Sequence, residues 1–366
     1  MKVTVLSHNL SSNAAMRSLR VAEAAKTFAE VELLGPVESR GLWPALPQEP
    51  WIRTVPERRL PKFAKSLLEI VEAAGGDVLI AVKPHLASFG AALAAAERRG
   101  VPVVLDLDDD ETALSPRSEW DRNPSMADLS RPASAVYSAL LTRAVGAAAA
   151  ITVASSALQR RFGGTLLPHG SRTDLFDPSR VDRGEARRAF GFSAPTVLFP
   201  GTPRAHKGIE TLARAVAKVP GARLAVTCRP SELTEPEWDE YPIDRIPIVP
   251  NAELARLLAA ADVIAIPQSD TEAARAQMPM KVYDAMAMGR PIVASRVSDL
   301  PVVLEGCACL VAPDDVDDLA HGIAAVLADA EGSRAMGSRA RERCLEKYSI
   351  SAVGKILGRL VHGVAA

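Results

Sequence analysis

Cysteine is scarce in this 366-residue chain. There are four, all in the second half (Cys228, Cys307, Cys309 and Cys344), and none has a histidine or further cysteine at metal-ligand spacing. That argues against a disulfide-stapled scaffold and against a zinc site, and predicts reduced thiols in a cytoplasmic protein. An excess of one charge is missing as well. The 43 Lys and Arg offset 44 Asp and Glu to a net charge of -1, so no general affinity for polyanions and no nucleic-acid partner is expected. Long apolar runs are absent. The most alanine-rich stretch, 144–157, contains Gly, Thr and Ser and few bulky residues, which argues against a membrane span. The apolar part of the opening Met1-Lys2-Val3-Thr4-Val5-Leu6 is too short for a signal-peptide core. Glycine is missing from one telling place. After the first strand the chain reads Ser7-His8-Asn9-Leu10-Ser11-Ser12-Asn13-Ala14, without the glycines of a G-x-G-x-x-G loop, which argues against an NAD-dependent oxidoreductase.

What is present is alternation. Strands are predicted at Val3–Ser7, Val31–Leu34, Val78–Val82, Val101–Leu107 and Ile151–Ala154. In the second half they are predicted at Thr196–Phe199, Arg223–Thr227, Val263–Ile266 and Pro291–Ala294. Between them lie segments of helical spacing, among them Phe63–Ala74, Ser88–Arg99, Ser134–Ala149 and, later, 208–218, 252–260, 281–288 and 316–329. Strands alternating with helices imply an α/β protein with parallel sheets covered on both faces. The length fits two Rossmann-like, doubly wound domains with a cleft between them. The seam is placed at 179–194, charged and rich in breakers, with a short helix possible in outline at Glu185–Phe190; the domains are then 1–178 and 195–349. Ligands of such sheets bind at the carboxyl ends of the strands.

Two stretches carry chemistry. In Thr196–Leu212 a short apolar strand runs into Pro200-Gly201, then Arg204 and Lys207, and Gly208 opens a helix. Free N–H groups at a helix start and two nearby cations form a grip on phosphate. In Gln277–Ser295, Pro279 marks a helix start and Gly289 its stop, and Lys281 and Asp284 share a helix face. A carboxylate there can accept the two hydroxyl hydrogen bonds of a ribose, and the helix start at Met280 offers further N–H groups to phosphate.

Together these motifs resemble a family. A G-x-x-R-x-x-K-G turn, then a P-x-K-x-x-D helix about eighty residues later ending in G-R-P-I-V-A-S, resembles the retaining glycosyltransferases of GT-B fold, family 4 (glycosyl transferases group 1). Leu167-Pro168-His169-Gly170 with Asp174–Pro178, Ala261-Asp262-Val263 with Pro267, Val311–Asp315, and Tyr348-Ser349 agree with that family's pattern. The resemblance implies sugar transfer from a nucleotide-sugar donor to an acceptor, with retention, without a metal and without any other cofactor. It implies an N-terminal acceptor domain, completed by a last helix at about 350–366 that crosses back to it, and a C-terminal donor domain.

Site residues follow from the same resemblance. Arg204 and Lys207, beside Gly201, hold the diphosphate and stabilise the leaving charge. Asp284 takes the ribose, with Lys281 on the same helix, and Gln277, Met278, Pro279 and Met280 line the sugar-phosphate. The base lies near Arg229 and Val249. The acceptor side uses Asn9, Ser12, Asn13, Lys83, Asp106 and Asp109. The sequence also departs from the family. Ala276 stands where the first Glu of an E-x7-E pair belongs, with Glu272 and Asp270 on the same loop as substitutes. Asp108 stands nearest the place of a strand-end histidine, and His85 offers the missing imidazole. These departures leave a catalytically degenerate nucleotide-sugar-binding protein as the alternative, and Asp106-Leu107-Asp108 leaves a D-x-D metal site as a lesser one. Arg53, Arg58, Arg59, Lys62 and Lys65 form a basic cluster, read as a solvated helix face in preference to a contact with anionic lipid.

Overall fold

The computed structural model describes residues 1–115 and 123–366. It divides into two units, Met1–Gly170 with Ile350–Ala366, and Ser171–Ser349. Each is a parallel sheet with helices between its strands.

The first unit has seven strands: β1 (Lys2–Leu6), β2 (Glu30–Val37), β3 (Ile52–Pro56), β4 (Val78–Val82), β5 (Val103–Leu107), β6 (Ala150–Val153) and β7 (Thr165–Leu166). Their order is β3-β2-β1-β4-β5-β6-β7. The central strands read as apolar runs because helices cover both faces: all five residues of β4 are buried. The order reverses direction between β1 and β4, which brings the loops after those two strands side by side. The last helix, Ile350–Ala365, packs against the helix Ala15–Ala25. Gly354 permits that approach, since a side chain there would collide with Thr27 and the Ala24 carbonyl.

Buried under the first sheet's carboxyl end is a frame of polar bonds. Arg17, 2% exposed, donates from Nε and Nη2 to the two oxygens of Asp106 at 2.8 and 2.7 Å, and from Nη2 to the Leu167 carbonyl at 2.9 Å. Thr152 Oγ1 adds a bond to Asp106 at 2.6 Å. This ties the helix Ala15–Ala25, β5, β6 and the segment after β7 together.

The second unit has six strands: β8 (Thr196–Phe199), β9 (Arg223–Cys228), β10 (Ile243–Pro247), β11 (Val263–Ile266), β12 (Ile292–Ser295) and β13 (Cys309–Val311), in the order β10-β9-β8-β11-β12-β13. Alternate residues of β8 enter different core layers, Leu198 one and Val197 with Phe199 the other. The stretch 179–194, expected as a linker, is folded into this unit. Asp182 caps the helix Arg183–Ala189 by accepting from Glu185 N at 2.7 Å. Arg187 then fastens that helix to Asp262 at 2.8 Å, while Asp262 also accepts from Thr196 N at 2.8 Å. Residues 171–178 belong here too, with Phe176 fully buried in the core. Among the described residues, no helix is long and apolar enough to cross a membrane.

Candidate functional site

In the second unit, the loop after β8 and the loop after β11 are pinned to each other. Gly208 sits at φ +66°, and a side chain on it would collide with the Pro267 carbonyl at the end of β11. No other residue type fits that approach. The Ser269 N–H donates to the His206 carbonyl at 3.2 Å. The two motifs read eighty residues apart in the sequence therefore meet. Lys281, at the start of the helix Lys281–Ala287, carries its ammonium back over the Phe199 ring, 3.3 Å from the centroid. The same Nζ would lie 3.5 Å from a β-carbon placed on Gly201. It is closed to solvent and has no hydrogen-bond acceptor among the described residues. Burial, and then repulsion from Lys207, hold it well below the usual lysine range. Lys207 Nζ donates to the Thr202 carbonyl at 3.2 Å, and Arg204 is exposed on the same loop. Cations gathered in this way favour an anion.

The other donor-side expectations fall around this point. Asp284 is buried and accepts from Ser171 Oγ at 2.7 Å. A carboxylate accepts several hydrogen bonds, so this one does not by itself exhaust it. Met278 and Pro279 are buried, and Gln277 and Met280 are half-buried. The carbonyls of Pro279 and Met280 accept from Val282 and Tyr283 in the first turn that follows. Arg229 lines a cavity of about 370 Å³ with Cys228, Pro230, Glu232, Arg245 and Pro247; Val249, two residues past β10, is not in its lining. Ala276 is buried. The two carboxylates on the same loop differ in their surroundings. Asp270 is engaged by Arg275 at 2.6 and 2.9 Å, and Glu272 is exposed at the start of its helix.

In the first unit, the loops after β1, β4 and β5 gather a second group. Lys83 follows β4 at φ +68°, a region a lysine seldom adopts, and is 5% exposed. Its Nζ pairs with Asp109, with Glu111 at 2.7 Å and with Asp108 at 3.3 Å. Those three carboxylates outweigh its burial and hold it well above the usual lysine range. Lys83 and the partnership with His85, whose Nε2 lies 3.3 Å from Glu111, hold the Glu111 carboxyl well below its ordinary range against its burial. Burial pushes Asp108 up to about 7, against the pull of Lys83. His8 stacks on His85 at 4.2 Å, and burial keeps His8 neutral well below the usual imidazole range.

Two residues expected on the acceptor side make bonds within the fold. Asp106 has both oxygens bound by Arg17 and Thr152, so it belongs to the frame and leaves Asp108 without a D-x-D partner. Asn9 spends its amide on Glu38 at 2.8 Å and Glu57 at 3.0 Å, and its oxygen on Ser11 N at 2.7 Å. It clamps the loop. Ser12 and Asn13 are half-buried, and their carbonyls accept from Ala15 and Met16 as the first helix starts. His8 was passed over in the sequence; its place one residue past the first strand's loop start was the available signal.

Comparison with known proteins bears on the second unit first. Residues 194–329 match the family described as glycosyl transferases group 1. That match lies within the second unit. The group 1 assignment agrees with two curated relatives. The D-inositol 3-phosphate glycosyltransferase of Mycobacterium marinum is 34% identical over 187 residues, 47% of this chain and 39% of that protein. The MMP alpha-(1->4)-mannosyltransferase of Mycolicibacterium hassiacum is 34% identical over 200 residues, 51% and 45% of the two chains. The chain thus spans about two fifths of the length of the curated relatives it matches. The whole fold is shared more widely. A sucrose-phosphate synthase from Thermosynechococcus elongatus superposes with a TM-score of 0.73 at 20% identity, over 100% of this chain and 99% of that one. Anabaena HepE, solved with UDP-glucose, gives 0.72 at 17% identity over 99% and 100%. The two Rossmann-like sheets share the GT-B fold with these structures.

Proposed function

We propose that this chain is a glycosyltransferase that moves a sugar from a nucleoside-diphosphate donor to an acceptor hydroxyl, with retention. One observation carries the reading. Lys281 buries an ammonium with no acceptor among the described residues, beside Lys207 and the Gly201 turn, within the stretch that matches the group 1 family. An uncompensated buried cation is costly, and a diphosphate is the anion this family handles. Arg204, Lys207 and Lys281 neutralise the departing diphosphate, the task a divalent metal performs elsewhere. The ribose then faces Asp284, and the base faces the cavity beside Arg229. In the transfer step the bond from the sugar carbon to the diphosphate oxygen breaks. The acceptor oxygen bonds to the same face of that carbon, and its proton passes to the leaving phosphate. The protein supplies preorganised charge and needs no nucleophile of its own.

A thermal-shift screen against UDP, GDP, ADP and dTDP sugars identifies the donor. Arg204→Ala and Lys207→Ala are each expected to cost about 2–4 kcal/mol of transition-state stabilisation. Near-normal turnover of the identified donor in both variants would overturn the assignment. A binding protein without turnover is the second reading, favoured by buried Ala276 and by the commitment of Asp270 to Arg275. Release of nucleoside diphosphate from the donor sugar, followed with time, separates the two.

A further inference from the structure

A second group of cations lies at the opposite end of the second sheet from the phosphate grip. Thr196 opens β8, Asp262 stands one residue before β11, and Arg290 stands two residues before β12. The grip follows the far ends of β8 and β11, so four-residue strands, about 13 Å of extended chain, separate the two places. At this amino end three arginines gather. Arg187 Nη1 donates to the Ala260 carbonyl at 3.0 Å, and Arg290 Nη2 donates to the next carbonyl, Ala261, at 2.6 Å. Arg183 and Arg187 both pair with Asp262, which also accepts from Thr196 N at 2.8 Å. The two oxygens of Asp262 are thus engaged by groups other than Arg290. Arg290 keeps an Nε–H closed to solvent, with no acceptor among the described residues. A buried donor left in that way costs stability.

The charges decide what would complete the group. Against its burial, the Thr196 N–H and then Arg187 hold the Asp262 carboxyl below its ordinary range, so it is an anion at neutral pH. Burial, followed by repulsion from Arg183, brings Arg290 down to about 10 against the pull of Asp262, which leaves it a cation at neutral pH. Three cations therefore face one carboxylate. The flanking charges leave that excess standing. Arg180 and Arg188 balance Asp182 and Glu185 on the same segment, Glu253 pairs with Arg256 on the helix packed against it, and Asp177 pairs with Arg341. Guanidinium groups bind two oxygens of one oxyanion at once, and a phosphate carries about 1.5 to 2 negative charges at neutral pH. The group opens to water at Arg183, 45% exposed, and at Arg187, 21% exposed.

We propose that Arg183, Arg187 and Arg290 form a second anion site, at the amino end of the second sheet, for a phosphate dianion, either free or as a phosphate monoester. The site stands apart from the donor loops and needs no part of the transferase reading.

The test uses the full chain with isotope-labelled arginine. Arg290→Lys assigns the Arg290 Nε–H signal in the spectrum of the unaltered protein. Inorganic phosphate and then glycerol phosphate are titrated against chloride at constant ionic strength. The Arg290 signal is expected to move with phosphate at millimolar levels and to stay still with chloride. Arg183→Gln, at an exposed position that leaves Asp262 bound to Arg187 and Thr196, is expected to weaken the response about tenfold. Its nucleoside diphosphate affinity by calorimetry is expected to match that of the unaltered protein. In a variant carrying Arg204→Ala and Lys207→Ala the Arg290 response is expected to persist. A tighter response to glycerol phosphate names a monoester as occupant and a tighter response to inorganic phosphate names the free ion; either upholds the site. A silent Arg290 signal, at phosphate levels that saturate a millimolar site, overturns the proposal. So does an equal response to chloride, an undiminished one in Arg183→Gln, or its loss with Arg204 and Lys207. Failure of nucleoside diphosphates to bind would instead sink the donor reading alone.

Discussion

Each unit holds one lysine ammonium away from water near the carboxyl ends of its strands, and the two stand in opposite surroundings. Lys83 of the first unit is enclosed by Asp108, Asp109 and Glu111 and is held above its ordinary range. Lys281 of the second faces an aromatic ring and another lysine and is held below it. Burial penalises both ammonium groups; what differs is whether the protein supplies the counter-charge. Where it does, the lysine is part of the architecture. Where it does not, the buried ammonium costs stability, and either an anion's charge or loss of the proton offsets that cost. The two units thus hold a buried lysine in opposite ways, one with its counter-charge built in and one beside another cation.

The comparison can be broken by removing each cation. Lys83→Met strands three carboxylates around a vanished charge, and a loss of about 3–5 kcal/mol in unfolding free energy is expected by denaturant titration. Its folded range lies above the ordinary 10.5, so the stability from Lys83 is fully present below that pH and is lost as pH rises through the folded value. Lys281→Met removes a charge that has no partner, so the free protein is expected to gain about 1 kcal/mol or more at neutral pH. The sign reverses here: with its folded value below 10.5, the cost of Lys281 is full at low pH and fades as pH rises. The same variant is expected to bind the donor's nucleoside diphosphate about tenfold more weakly by calorimetry. A stabilised variant with unchanged affinity would leave Lys281 as an unexplained strain and the comparison without its functional half.

The smallest effect sharpens the acidic side. Burial and Glu38 push Glu57 up from 4.5 to about 7, so its unfavourable contribution grows as pH rises from one value to the other. Glu57→Gln is expected to raise Tm at pH 8 by a few degrees and to leave it unchanged at pH 4, read by paired melting curves. Equal shifts at both pH values would mean that the packing, not the charge, had changed.

Legibility in the sequence followed burial. Every interior strand of both sheets was predicted, because strands covered on both faces read as near-continuous apolar runs. The strands missed are the sheet edges: β3, β7 and β10 were not read at all, and β13 was reached only through the loop after it. Ile52-Arg53-Thr54-Val55-Pro56 and Ile243-Asp244-Arg245-Ile246-Pro247 interleave polar and apolar residues and end in proline, as a strand with one open side tolerates. The seam misled for a related reason. Charged residues at 179–194 suggested a linker, but Arg187 uses its charge to fasten a helix to Asp262.

The sequence alone determined the two-sheet α/β architecture, the family resemblance and the cations of the phosphate grip, since these rest on periodicity and on motifs that are continuous in the chain. It could not determine which charges would be neutralised. Asp106 and Asp108 are two residues apart, yet Arg17 of a distant helix claims the first while the second pairs with Lys83. Lys83 and Lys281 look alike in the chain, and only tertiary packing decided that one would meet three carboxylates and the other, among the described residues, an aromatic ring and a second lysine. Electrostatic role depends on which groups end up within a few ångströms, and that is a property of the folded chain.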